Sequence, residues 1–330
     1  MNFESLEARL AGSRPATIAV CGADGEEVYE AIKLAQAKGL ARFLLVGDAD
    51  RCASLAREHG VEPAGIIATT GADSQTADAA AAAAAVQAVI DGRADLLMKG
   101  MVATPVLLKA VVSEKRLFEE GRLLSHVLVV EMPEGRLLGI TDGGMNPQPD
   151  FAQKATIIRN AVDLFHTLGV PEPKVALLAA NEKPNPKIPG SQDAVDLKAM
   201  ASGTSAAGNG ADAMAGSQFQ GCIIDGPLAL DLALSPRAAD IKGYKGSIRG
   251  NADILLVHDI SAGNHLGKAI INLAGYPGGG MIVGAKVPII LLSRSDTASE
   301  KYNSVVLALA GSAGVIPPGT TAGKTTGGGR

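Results

Sequence analysis

Short apolar runs that break abruptly into polar or glycine-rich residues recur along this chain, and segments with helical spacing lie between them. The runs are Ala16–Cys21, Phe43–Val46, Gly65–Ala68, Leu96–Met98, Val127–Val130, Leu137–Ile140, Lys174–Leu178, Gly221–Ile224, Ile254–Val257 and Val287–Leu292. Helical spacing occupies Glu26–Lys38, the alanine-rich Asp78–Ile90, Asp150–Leu168 and Gly226–Leu234. Strands alternating with helices over a full chain predict an α/β fold, with mostly parallel sheet covered by helices. The 330 residues, 47% apolar, suffice for two cores and set an expectation of two domains.

Composition removes several classes. A net charge of −4, 3% aromatic residues and no basic run argue against a nucleic-acid binder, which needs a basic stripe or stacking rings. The three cysteines show no metal-like or CxxC spacing. Cys21 and Cys222 sit in apolar runs, as buried inert thiols do. Met1–Arg14 lacks the apolar core of a signal peptide, and no stretch reaches the ~20 apolar residues of a membrane span, so the expected location is cytoplasmic. Ala201–Ser217 and Gly319–Arg330 are rich in small residues and read as a flexible loop and a disordered tail. Gly323-Lys324-Thr325 ends like a phosphate loop but lacks the upstream glycine and a following helix. Gly275–Gly280 is glycine-dense but follows a helix-like segment, so it does not read as a dinucleotide loop.

Chemistry concentrates where the runs end. Val287–Leu292 breaks into Ser293-Arg294-Ser295-Asp296-Thr297, the way a buried parallel strand delivers polar groups to the rim of a sheet. Arginine between hydroxyls suits a tetrahedral oxyanion, because its fork donates two parallel charge-assisted hydrogen bonds. The plainer reading is a serine capping a helix, with Arg294 in solvent. Lys99-Gly100, with Thr104 and Lys109 beyond, offers cations and a close backbone approach. Ser125-His126 stands before a strand, and His126 is either an acid, an anion donor or a satisfied partly buried histidine. Asn146 lies in a rigid loop ahead of a helix that Asp150 can start. Gly226-Pro227 would open a helix, and Gly263-Asn264 follows a strand, each offering backbone N–H groups. Together these residues describe a crevice suited to phosphate.

Six segments then carry a resemblance. They are LLMKGMVAT (Leu96–Thr104), ITDGGMNPQPD (Ile140–Asp150), NEKPNPKIP (Asn181–Pro189), IIDGPLALDLALSP (Ile223–Pro236), NADILLVHDISAGNHLGKA (Asn251–Ala269) and VPIILLSRSDTASEKYNS (Val287–Ser304). In this collinear order the chain resembles the phosphate acetyl/butyryltransferase family. The Lys-Gly and Ser-Arg-x-Asp forms look more like its butyryl branch. The resemblance implies two domains of isocitrate/isopropylmalate dehydrogenase-like architecture, residues 1–140 with 288–330 and residues 141–287, the latter carrying the insertion 201–217. It implies an active site in the cleft between them and a homodimer or higher homo-oligomer. The implied reaction is reversible transfer of a short acyl group between coenzyme A and inorganic phosphate, with no metal and no permanently bound cofactor. Ser293 and Arg294 would bind phosphoryl or acyl oxygens. Glu300 matches the family's base for the CoA thiol, with Asp296 competing for the role. Met98, Met101, Val102 and Leu107 stand as acyl-facing candidates. Two alternatives share features: an acyl carrier protein-dependent phosphate acyltransferase, expected to show a basic docking surface, and a metal/NAD-dependent decarboxylating dehydrogenase, expected to show an aspartate cluster and a nucleotide loop. A silent scaffold of the same fold is the third.

Overall fold

Apart from the half-exposed run Gly65–Ala68 at a sheet edge, the apolar runs are largely buried as strands in a computed structural model, which describes residues 1–118, 121–188, 190–203, 219–293 and 295–312. The strands are β1 (Ala16–Cys21), β2 (Ala41–Gly47), β3 (Gly65–Ala68), β4 (Leu96–Lys99), β5 (Ser125–Glu131), β6 (Leu137–Thr141), β7 (Lys174–Leu178), β8 (Ile223–Leu228), β9 (Ile254–Leu256), β10 (Gly278–Val283) and β11 (Ile289–Ile290). They form a single 11-stranded sheet in the order β3-β2-β1-β4-β11-β10-β5-β6-β9-β7-β8. Both ends are parallel, and the antiparallel pairings β11–β10, β10–β5 and β5–β6 join them. The runs Val127–Val130 and Leu137–Ile140 pair as the β5–β6 hairpin, which turns at Pro133–Gly135.

Alternation along each strand divides the core. Ile18 and Val20 of β1 pack into one cluster while Ala19 and Cys21 face another, as a side-chain period of two requires. The first cluster runs along one whole face under α1 (Phe3–Leu10), α2 (Tyr29–Ala37), α3 (Ala49–His59), α6 (Phe151–Leu168) and α11 (Ala298–Gly311). The opposite face is split. Helices α4 (Ser74–Ile90) and α5 (Thr104–Val112) cover one half. The other half is covered by α8 (Leu230–Leu234), α9 (Pro236–Ile241) and α10 (Ile260–Lys268), while α7 (Ser191–Ala201) packs at the β8 edge. Where the two half-cores part, the sheet is open to a ligand.

One sequence expectation changes, and one strand has no counterpart among the apolar runs. Gly226-Pro227 does not open a helix: both residues are buried inside β8, because Asp225 beside them is fully buried and binds Lys198 and the Ile248 N–H, and the helix starts only at Leu230. Gly278–Gly280 begins strand β10. The glycines are needed because a Cβ on Gly279 would lie 2.7 Å from the backbone of Asn303 and Ser304 in α11. Most of the loop 201–217, and the tail 319–330, lie outside the described residues. Among those described, no helix is long and apolar enough to cross a membrane. All three cysteines are free; burial pushes Cys52 and Cys222 up to about 11 and Cys21 higher still, so none is a ready nucleophile.

Candidate active site

At the middle of the sheet four segments converge on a cleft of about 350 Å³. The first is β5, whose alternation turns His126 and Leu128 to the cleft. His126 fits only because its neighbours lack side chains: a Cβ on Gly144 would fall 2.8 Å from its ring and one on Gly280 2.8 Å from Nε2. Its Nδ1 is buried without a hydrogen-bond partner. Burial holds the imidazole below its usual pKa against the opposing pull of the Asp142 carboxylate, which favours the neutral ring.

The loop after β6 is the second. Asp142 folds it by accepting the Gly144 and Met145 N–H groups, each at 2.9 Å. Asn146 donates to Asp142 at 2.6 Å and to the Leu124 carbonyl at 2.9 Å, so it shapes the loop from outside the cleft lining. Gly143 lies against Gly263 of α10, the third segment, where a Cβ on either would come within 2.7 Å of the other's backbone. Helix α10 starts at Asp259, which accepts the Ala262 N–H at 2.8 Å, and presents Gly263, Asn264 and Lys268. It continues as a π turn, Ala269–Leu273, that brings Ile271 and Asn272 to the wall; such turns are rare and frequent at functional sites.

The fourth segment follows β11, which pairs with β10 only through Ile289 and Ile290. Ser293, Ser295 and Asp296 line the cleft there. Asp296 accepts the Ser293 N–H at 2.7 Å, and the two serine hydroxyls lie 3.0 Å apart. Helix α11 then begins with a capping box: Thr297 accepts the Glu300 N–H at 3.2 Å, and Glu300 accepts the Thr297 N–H at 2.6 Å. Glu300 thus uses one oxygen in the cap, and the other has no partner among the described residues. Asp296 has its pKa raised, first by burial and further by the Glu300 charge, while the Ser293 N–H, Lys301 and Lys268 oppose.

Of the residues singled out in the sequence, Thr104, His126, Gly263, Asn264, Ser293, Asp296 and Glu300 line this cleft. Arg294 lies outside the described residues, although Ser293 and Ser295 on either side both line it. Lys99 is buried and donates to the Gly100 carbonyl at 3.0 Å, while Gly100 packs on the backbone of Gly22. Lys109 is exposed on α5, and Ser125 is buried beneath Asn160, which donates to it at 3.0 Å. Gly226 and Pro227 lie in β8 at the far edge. Met98, Val102 and Leu107 are buried in the cores under β4 and α5, and Met101 packs on Gly25, so none of the four faces the cleft. Lys268, visible in sequence in the helix that carries Asn264, also lines the cleft, whereas the apolar Leu128, Ile140 and Ile271, and Gly278–Gly280, had not been singled out. Glycine density at 275–280 was the one usable signal for the last. A second cavity of about 220 Å³, around Arg122, Asp163 and Lys286, gathers none of the sequence candidates. Among the described residues no group of three or more His, Cys, Asp or Glu is placed to hold a metal ion.

Residues 68–309 match the family model described as phosphate acetyl/butaryl transferase. The chain belongs to this family. It is 40% identical over 316 residues to a probable phosphate butyryltransferase of Bacillus subtilis, covering 94% of this chain and 98% of that one. It is 36% identical over 308 residues to the phosphate butyryltransferase of Clostridium acetobutylicum, covering 93% and 97%. Its fold matches the crystal structure of a branched-chain phosphotransacylase from Enterococcus faecalis V583 with a TM-score of 0.74 at 32% identity, over 90% of this chain and 98% of that one. Family membership therefore makes this chain a phosphate acyltransferase, and the relatives named butyryltransferase agree with the butyryl branch.

Proposed function

We propose that the chain transfers a short-chain acyl group reversibly between coenzyme A and inorganic phosphate in the mid-sheet cleft, with Ser293, Arg294 and Glu300 as its reacting constellation. The observation that carries this reading is the start of α11. One polar turn sets the Ser293 hydroxyl and the Glu300 carboxylate in the same cleft as Asn264 and Lys268.

In the acyl-CoA-forming direction, Glu300 takes the thiol proton through its oxygen left free of the cap. A free thiol with a pKa near ~8.5 is mostly protonated at neutral pH, so a carboxylate beside the sulfur matters. The thiolate attacks the carbonyl carbon of the acyl phosphate, the carbon–oxygen bond to phosphate breaks, and phosphate leaves with the electron pair. In the other direction a phosphate oxygen attacks the thioester and Glu300 returns the proton to the departing sulfur. Arg294 grips the phosphoryl oxygens with its fork, assisted by the Ser293 hydroxyl and the Lys268 charge, where donors aimed at developing charge lower the barrier. Asp296 closes the turn by accepting the Ser293 N–H.

The same reading takes the parallel strands β3-β2-β1-β4-β11 as the body of the lobe 1–140 with 288–330, and β9-β7-β8 as that of 141–287. The antiparallel strands between them would be the hinge region, and the assembly a homodimer. The decisive measurement is free thiol released from butyryl-CoA with and without added phosphate: phosphate-dependent release is expected. Arg294→Ala should lower it by roughly 10²–10³, as loss of an oxyanion donor does. Arg294→Lys should recover little, since the fork is gone. Near-normal turnover by Arg294→Ala would remove that residue from the site.

A further inference from the structure

Part of the cleft wall is apolar. Ser293, Ser295, Asp296 and Glu300 come from the start of α11 and the residues before it. Leu128, Ile140 and Ile271 come from β5, β6 and the π turn, and all three belong to one hydrophobic cluster with Leu138, Leu255 and Val257 behind them. Two glycines seat this apolar wall: a Cβ on Gly267 would fall 2.6 Å from Leu128 Cδ2, and one on Gly278 would lie 3.0 Å from Ile271 Cδ1.

His126 stands two residues before Leu128 on the same face of β5, about 6.7 Å away along the strand. Its Nδ1 is buried and unpartnered, and an unpaired acceptor is tolerated in a protein interior more readily than an unpaired N–H. The proton of the neutral ring therefore belongs on Nε2, on the side of Gly280, where any other residue would fill the space. A butyryl chain measures about 4 Å from carbonyl carbon to methyl, with bonds near 1.5 Å. A carbonyl held at His126 would thus bring the end of that chain to about 2.7 Å short of Leu128 along the strand, within contact reach, while an acetyl methyl would stop about 5 Å short.

We infer that β5 reads the acyl group: His126 donates Nε2–H to the acyl carbonyl oxygen, and Leu128, Ile140 and Ile271 form the floor under the hydrocarbon tail, selecting straight or branched chains of about four carbons over acetyl. This rests on the acyl-CoA and phosphate reading above. It replaces the β4–α5 residues as the acyl contact.

The test is a panel of acetyl-, butyryl- and hexanoyl-CoA with phosphate, comparing kcat/KM for the unaltered chain, Leu128→Phe and Ile271→Ala. The unaltered chain should favour butyryl over acetyl by roughly tenfold, the worth of two buried methylenes. Leu128→Phe should erase that ratio by raising the floor. Ile271→Ala, on the more exposed π turn, should raise the hexanoyl-to-butyryl ratio several-fold. A general loss of folding or rate moves all substrates together and leaves these ratios alone. If the chain is active and the ratios of all three proteins agree within twofold, the acyl floor is overturned and the reaction stands. If the unaltered chain releases no thiol in response to phosphate, both fall.

Discussion

Two carboxylates four residues apart, Asp296 and Glu300, are held in different ways although both line the cleft. Asp296 is engaged by the Ser293 N–H and partly buried, and its pKa is raised above the ordinary 3.8. A raised carboxyl pKa means that the folded state holds the proton more tightly than the unfolded chain. Its contribution is most favourable below pH 3.8 and is lost as pH rises through the folded value. Asp296→Asn stays neutral and can still accept the Ser293 N–H. It is expected to raise Tm at pH 7, with the gain shrinking as the pH is lowered toward 4, as calorimetry across that range will register. With Glu300 as the proposed thiol base, Glu300→Gln should slow CoA-dependent turnover by about 10²–10⁴. Should Asp296→Asn prove the more damaging of the two to turnover, the base sits at 296. Residue identity here was legible: Ser293, Asp296 and Glu300 were all visible in the motif that ends the last apolar run. His126 was visible too, but three readings of it stayed open, because the glycines that enclose its ring are 18 and 154 residues away in the chain (Gly144 and Gly280).

At the scale of elements, the start of α11 joins stability to chemistry. The capping box satisfies backbone N–H groups that have no partner within the helix, and it fixes one Glu300 oxygen at the same time. Thr297→Ala should cost about 1 kcal/mol in a urea titration and lower turnover, because the Glu300 N–H loses its acceptor and the first turn that positions the carboxylate frays. A full loss of stability with unchanged turnover would detach the cap from the catalytic role. Start signals of this kind are local, which is why Asp150 could be read as the beginning of α6 from sequence, and Gln153 completes that box in the structure. Gly226-Pro227 shows the limit. A Gly-Pro pair fits a helix start, but the sheet claims these residues because Asp225 is buried between Lys198 and the Ile248 N–H. Strand β10 was missed for a related reason: glycine lowers strand propensity, and only contact with α11 explains its use there.

The whole molecule depends on that contact, since α11 packs along β10 at the centre of the sheet and carries Glu300 at its first turn. Gly279→Ala would drive a Cβ into the backbone of Asn303 and Ser304 at 2.7 Å. The expected cost is about 1–3 kcal/mol in unfolding free energy, accompanied by reduced turnover as α11 shifts. A change in urea midpoint too small to measure would show that the helix yields freely. The alternating strand and helix segments, the motifs that assign the family and the polar turn bearing Ser293 and Glu300 were already legible along the chain. All of these are set by spacing and side-chain chemistry within short stretches. The tertiary structure alone decided which strand ends meet: it united Thr104, His126, Asn264 and Glu300, sent Gly226-Pro227 to the far edge, and buried Met98 and Leu107 in the cores. Strand order is fixed by how distant apolar faces pack against one another, and no local run of residues encodes its neighbour in the sheet.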